Sequence, residues 1–265
     1  ETRMTPFTSP PDMHAIIIAA GLGSRMGHLT DDLPKCLIDV SGKRILDHQL
    51  AAFHENGITD ISLVRGYKAE RITLPGITYY HNDSYPHNNI LASLFTAEPA
   101  MHGAFLASYS DIIFRPSVVR KLLDTTADIS IVVDTAWQTS YDGRTEHPLT
   151  EAEKVLIDDQ DNVLDIGKHL PLSEGQIGEF IGLMRCTRTG AAQFRTAYHI
   201  AKTTFSGKQF SQAKTFQKAY LTDFIHYLTG VGIKTNCVKI EGGWCEIDTP
   251  QDVTRAARIL GGRLT

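Results

Sequence analysis

Residues 15–20, AIIIAA, run apolar without a break and end in the turn Gly21-Leu22-Gly23-Ser24-Arg25. Such a run, with no polar alternation, suits a strand whose sheet is covered on both faces. Strand-like runs continue at Asp60–Val64, Thr78–Tyr80, Ala104–Tyr109 and Ile129–Val133, after the first at Ala15–Ala19. Between them the spacing predicts a helix over Ile45–Asn56, with Ile45, Leu46, Leu50 and Phe53 apolar. Further helices are predicted over Ile90–Glu98 and Pro116–Leu123, where Pro116 suits a first helical turn. Strands alternating with helices predict an α/β fold with a mostly parallel sheet.

After about Thr135 the pattern changes. Lys154–Ile157 and Val163–Ile166 flank the turn Asp158-Asp159-Gln160-Asp161-Asn162 and read as a hairpin. That hairpin places an inserted lid or acceptor-binding region at 136–180. Helical stretches follow at Thr189–Ala201 and Leu221–Leu228, then a strand at Thr235–Ile240 and a closing helix at Pro250–Leu260. Residues 14–265 read as one domain. Residues 1–13 are polar and Pro-rich and read as a tail or linker, or as the joint to an upstream domain of a longer polypeptide.

The net charge of −4 gives no global field for nucleic acid or a membrane surface, so neither is an expected partner. No apolar stretch approaches the roughly 20 residues that cross a bilayer, and no signal peptide is visible. The four cysteines are widely spaced with no C-x-x-C pair, which fits reduced thiols, a cytoplasmic setting and no structural zinc. The eleven histidines include no H-E-x-x-H, and no G-x-S-x-G marks a nucleophile elbow.

The glycine turn carries the chemistry. Gly21 and Gly23 let backbone N–H groups approach phosphate oxygens, Arg25 adds a fork matched to phosphate, and Lys35 after Pro34 adds a second cation. The turn is neither a P-loop nor a G-x-G-x-x-G fingerprint. The two-part pattern, G-x-G-x-R and then P-K, resembles the signature of nucleotidyltransferases of the sugar-phosphate and choline-phosphate type. That resemblance implies a Rossmann-like three-layer sandwich with a mostly parallel mixed sheet. It implies a nucleoside triphosphate held along Ala19, Ala20, Gly21, Gly23, Ser24 and Arg25, with Arg25 and Lys35 assisting loss of pyrophosphate.

The resemblance further implies that Asp111, after Ala104–Tyr109, and Asp248, in GGWCEIDTPQDV, hold Mg²⁺. A triphosphate under attack carries dense negative charge that a hard cation on oxygen ligands neutralises. Glu246 is the alternative ligand, and Asp252 reads as charge in a first helical turn. The stretch HNDSYPHNNILASLF is similar to the Asn-rich segment of cytidylyltransferases that act on choline phosphate and small phosphonates. It implies Asn82, Asn89 and Ser93 around a cytosine, whose donors and acceptors an amide matches. The alternative for such an Asn is a helix cap.

EAEKV followed by IGK resembles the acceptor side of the superfamily, with Lys168 on the acceptor phosphate and Arg144 and Lys154 as further candidates. Trp137, Tyr141 and Trp244 are candidates to box an ammonium by cation–π contact. Acidic Glu151, Glu153 and Asp142 serve either an amine or the surface. The expected reaction is Mg²⁺-dependent transfer of CMP from CTP to a small phosphate or phosphonate acceptor, choline phosphate, 2-aminoethylphosphonate or 2-hydroxyethylphosphonate in type. Replacing Lys35 is expected to cut turnover and leave the fold intact. The alternatives are a sugar-1-phosphate nucleotidyltransferase using UTP or dTTP, and a non-catalytic nucleotide-binding domain.

Overall fold

The alternation of apolar runs and amphipathic stretches is realised as a layered α/β domain. A computed structural model describes residues 12–170 and 175–261. Residues 1–11 of the expected tail lie outside the described residues, whereas Met13 is already buried in the core.

The first half of the chain supplies β1 (His14–Ala19), β2 (Asp39–Val40), β3 (Lys43–Arg44), α1 (Ile45–Glu55), β4 (Asp60–Arg65) and β5 (Ile77–His81). It continues through α2 (Ile90–Thr96), β6 (Phe105–Tyr109), β7 (Ile112–Phe114), α3 (Pro116–Leu123) and β8 (Ile129–Asp134). The second half holds β9 (Lys154–Ile157), β10 (Val163–Gly167), β11 (Gln176–Cys186) and α4 (Arg188–Thr204). It closes with α5 (Leu221–Gly230), β12 (Asn236–Ile240), β13 (Trp244–Glu246) and α6 (Pro250–Gly261).

Nine strands form the main sheet, whose spine runs β5-β4-β1-β6-β11-β8-β12. Pairs β4–β5, β1–β4, β1–β6 and β8–β12 are parallel, and β11 runs against its neighbours. The expected hairpin is present as β9–β10 and joins the sheet where Gln176–Glu179 of β11 pair with β9. The unbroken apolar run of β1 follows from burial on both faces. Ile16 and Ile18 enter one apolar cluster with residues of α2, α4 and α5, while Ala15 and Ile17 enter another with residues of α1 and α3. Among the described residues no helix is long and apolar enough to cross a membrane.

The sequence reading missed β11, the eleven-residue strand at the centre of the sheet, and assigned its first residues to the insertion. Gly178 and Gly182 interrupt its apolar pattern, and glycine inside a run reads as a breaker. Tertiary contact explains Gly182. Its φ is +87°, and a Cβ there would lie 2.5 Å from Tyr109 Cδ2. The register between β11 and β8 shifts between Phe180 and Met184, around this glycine.

Two features of topology position the site. From β1 the chain moves out to β4 and β5 on one side, whereas β6 lies on the other. The connections leaving β1 and β6 therefore diverge and leave a crevice beyond their C-terminal ends. Separately, β7 pairs antiparallel with β13, Ile112 opposite Glu246, and Ile247 N–H donates to Asp111 O at 2.8 Å. That short ribbon sets Asp111 beside Asp248 at the same crevice.

Candidate active site

The crevice holds a cavity of ≈ 210 Å³ whose walls include Ala19, Gly21, Gly23, Arg25, Lys35 and Asp111. Gly23 adopts the left-handed conformation, φ 63°, and a Cβ there would sit 3.2 Å from Lys35 Cβ and from Thr30 Cγ2. Glycine at this position lets the Pro34-Lys35 segment close against the turn. A Cβ on Gly21 would meet no protein atom within 4 Å, so packing does not explain that glycine. Its place on the cavity wall suits close approach of a ligand to the backbone.

Lys35 donates to Asp111 Oδ2 at 2.8 Å and to Asp248 Oδ1 at 2.7 Å, with its side chain 11% exposed. Burial works against this ammonium, but the two carboxylates outweigh it and hold the pKa above that of an ordinary lysine. Asp248 also faces Arg25 Nη2 at 2.7 Å and His147 Nδ1 at 2.8 Å through its second oxygen. Burial would raise Asp248, yet His147, Lys35 and Arg25 hold it well below the usual carboxylate range. Glu246 shifts the other way, raised by burial and then by the charges of Asp111 and Asp248.

Arg144 fixes this acidic corner from behind. It donates through Nε to Asp252 Oδ1 at 2.7 Å and through Nη2 to Asp252 Oδ2 and Glu246 Oε2 at 3.0 Å. Asp252 Oδ2 in turn accepts the backbone N–H groups of Asp248 and Thr249 at 3.0 and 2.9 Å. Asp252 thus caps the start of α6 as expected of first-turn charge, and it fixes the Asp248 backbone as well.

Across the cavity, Lys168 donates to Glu151 Oε2 at 2.8 Å and stands 5.1 Å from the centre of the Tyr220 ring. Arg25 Nη1 approaches the same Glu151 oxygen at 3.6 Å. Glu153 and Glu179 lie deeper. Glu153 accepts from Tyr109 Oη at 3.2 Å, and Glu179 accepts from Tyr141 Oη. Burial first, then neighbouring carboxylates, pushes each of them up to about 8.

That shift has a consequence for stability. An acid whose folded pKa lies above its unfolded value keeps a proton that the unfolded chain has already lost. Stability therefore falls as pH rises from about 4.5 through about 8, by up to roughly 1.4 kcal/mol per pH unit for one fully shifted group. Thermal melts of Glu179→Gln across this window are expected to show a shallower decline than the parent protein. An identical slope in both proteins contradicts the assignment.

The structure brings together many of the expected residues and sets others apart. Lys168, Asn89 and Trp244 line the cavity with the glycine turn, and Asp248 reaches it through Lys35. Asn89 also caps α2, accepting from Ile90 N–H at 2.8 Å. Asn82 and Ser93 stand behind the wall. Asn82 Nδ2 donates to Ser93 Oγ at 2.9 Å and to Asn88 Oδ1 at 3.0 Å, and its Oδ1 accepts from Asn88 Nδ2 at 3.0 Å. An amide so engaged shapes the loop and offers little to a base.

Ala20 is buried, its carbonyl accepting from Tyr67 N–H at 3.1 Å, and Ser24 is exposed at the start of the following turn. Trp137 and Tyr141 pack with Ala152 in a separate small cluster, so the expected box of Trp137, Tyr141 and Trp244 does not form. Lys154 is buried on β9 away from the cavity wall, and Arg144 holds carboxylates instead of facing an acceptor. The sequence reading missed His147, Tyr109, Tyr220 and Glu179. No motif surrounds them, and only the Glu151–Glu153 spacing hinted at acids on this side.

A divalent cation fits this corner. Asp111, Asp248 and Glu246 offer carboxylate oxygens, the donors a hard cation takes. His147, Glu246 and Asp248 present ligand atoms within 4.8 Å of one another, and Asp111 meets Asp248 through Lys35 instead of joining that group. The elevated proton affinity of Glu246 among its acidic neighbours marks negative charge that a cation would relieve.

Residues 15–165, more than half of the chain, match the MobA-like NTP transferase domain. The chain belongs to that family. The CTP:phosphoglutamine cytidylyltransferase of Campylobacter jejuni is 28% identical over 252 residues, 91% of this chain and 98% of that protein. The choline-phosphate cytidylyltransferase of Streptococcus pneumoniae is 31% identical over 39% of this chain and 47% of its own length. Among solved structures, the CTP:phosphocholine cytidylyltransferase of S. pneumoniae superposes with a TM-score of 0.71 at 22% identity, covering 94% of this chain and 99% of that one. The inositol-1-phosphate CTP transferase of T. maritima gives 0.70 at 20% identity, covering 95% and 98%. These two likenesses show the shared fold.

Proposed function

We propose that the protein is a cytidylyltransferase that moves CMP from CTP to a phosphate or phosphonate oxygen of a small acceptor and releases pyrophosphate. The observation that carries this reading is the meeting of Arg25, Lys35 and Lys168 with Asp111 and Asp248 around one cavity at the glycine turn. The relatives named for CTP, phosphoglutamine and choline phosphate support the nucleotide and the acceptor class. A 2-aminoethylphosphonate cytidylyltransferase, 33% identical over 38% of this chain, adds a phosphonate to that class.

Positioning and charge do the chemical work. The glycine turn presents backbone N–H groups to the triphosphate, and Arg25 and Lys35 stabilise the negative charge that develops on the departing pyrophosphate. Lys168 orients the acceptor oxygen for in-line attack on the α-phosphorus. A phosphate monoester is largely ionised at neutral pH, its second pKa being about 6. The attacking oxygen therefore needs no general base, consistent with a cavity built from cations and acids with no activated nucleophile. Asp111 and Asp248, with Glu246 beside them, would hold Mg²⁺, which supplies neutralisation of phosphate charge.

Pyrophosphate release measured across CTP, UTP, dTTP, ATP and GTP, with phosphate, phosphonate and hexose 1-phosphate acceptors, tests the reading. CTP with a non-sugar acceptor is expected to exceed every other pair by at least about tenfold, the size of a 1.4 kcal/mol preference. A sugar 1-phosphate with UTP or dTTP as the best pair overturns it, and CTP binding with no turnover on any acceptor favours a non-catalytic domain.

A further inference from the structure

The cavity walls carry five acidic side chains against three cationic ones, an odd balance for a pocket read as binding a triphosphate and a phosphate. Pairing off the ions locates the excess. Asp111 has Lys35, Glu151 has Lys168 and Arg25, and Glu246 has Arg144. Among the described residues, Glu153 and Glu179 have tyrosine hydroxyls as their side-chain hydrogen-bond partners, Tyr109 and Tyr141, and neither forms a close ion pair. Glu179 is 4% exposed, yet its Oε2 has no hydrogen-bond partner among the described residues. A buried acid oxygen without a donor is unusual, and on a cavity wall it points to a ligand that brings one.

From this we infer that Glu153 and Glu179 form a subsite for an ammonium group on the acceptor, one that carries N–H donors. The inference rests on the function proposed above and narrows its acceptor class. A primary ammonium brings both a positive charge, which favours loss of the protons that burial keeps on the two acids, and the donor that Glu179 Oε2 needs. A trimethylammonium supplies charge alone and brings no N–H to Glu179 Oε2. A hydroxyl supplies a donor without charge. Phe180 N–H donates to Glu153 O at 2.8 Å, so β11 brings Glu179 alongside Glu153. Lys168 lies close enough for the Glu153 charge to act on it. A phosphate held by Lys168 therefore places a short amine-bearing arm toward the acidic pair.

Calorimetry on the full chain, with and without α,β-methylene CTP, reads this subsite whether or not transfer occurs. Three acceptors with one skeleton serve as probes: 2-aminoethylphosphonate, its N,N,N-trimethyl derivative and 2-hydroxyethylphosphonate. The amine is expected to bind at least about tenfold more tightly than either analogue. Glu153→Gln and Glu179→Gln are each expected to shrink that preference severalfold, mainly by weakening the amine. Equal or undetectable binding of the three probes overturns the inference, as does tighter binding of the trimethyl or hydroxyl compound. So does an unchanged preference in both variants. Pyrophosphate release with CTP reports separately on the function itself, so an enzyme that turns over without preferring the amine loses the subsite and keeps the reaction.

Discussion

Replacing Lys35 by alanine is expected to lower kcat by about 10²- to 10³-fold, the scale observed when one preorganised charge is removed from a transition state. The structure adds an effect that the sequence reading did not include. Lys35 lies between Asp111 and Asp248, so the variant leaves two carboxylates facing each other with Asp248 almost fully buried. Removing one partner of a buried ion pair costs about 3–5 kcal/mol, and partial exposure of Asp111 reduces this to roughly 2–3 kcal/mol. Lys35→Ala should therefore fold but unfold at lower denaturant. Adding Asp111→Asn to the same chain should restore most of the stability and none of the turnover. Near-normal turnover in Lys35→Ala, or no gain in stability on adding Asp111→Asn, contradicts the arrangement.

The second large effect is expected at Arg144, and it is one of stability first. Its guanidinium is the side-chain base that both Asp252 and Glu246 share, and its own side chain is 5% exposed. Burial works against its charge, but Asp252 and Glu246 more than compensate and raise its pKa. Arg144→Ala removes the buried cation that both acids share and is expected to cost about 3–5 kcal/mol. Lysine at this position cannot reproduce the forked contact to Asp252 and should recover only part of the loss. Denaturant unfolding of the two variants checks this. If Arg144 instead bound the acceptor, as its sequence context suggested, stability would hold and only the acceptor KM would rise.

The sequence carried much of the fold because β1, β4, β6 and β8 are buried on both faces and so read as apolar runs, broken by a serine in β4, β6 and β8. The helices at 45–55 and 116–123 declared themselves through apolar spacing and, at Pro116, through a residue that favours a first turn. What escaped was structure written in long-range contact. Gly182 looks like a break until Tyr109 is seen packed where its side chain would be. The β7–β13 ribbon consists of two three-residue strands far apart in the chain, too short for any periodicity to register.

The site divides along the same line. Arg25, Lys35, Asp111 and Asp248 follow recognisable local patterns, and the fold gathers them at one crevice. Arg144, Trp137, Asn82 and Ser93 have residue types that suit ligands, and the structure gives their polar atoms or rings to neighbours within the protein. Only the three-dimensional neighbourhood reveals whether a guanidinium faces a ligand or two buried carboxylates. Glu179 shows the converse: nothing adjacent in sequence distinguishes it, and the subsite proposed for it rests on an oxygen that has no donor among the described residues.

A crystal structure of the protein with CTP and Mn²⁺ tests the central claim most directly. The account predicts the triphosphate along the glycine turn in contact with Arg25 and Lys35, with an anomalous peak at the carboxylates of Asp111 and Asp248. A nucleotide bound elsewhere, or one whose phosphates stay out of reach of both cations while Lys35 remains on its two carboxylates, would contradict it.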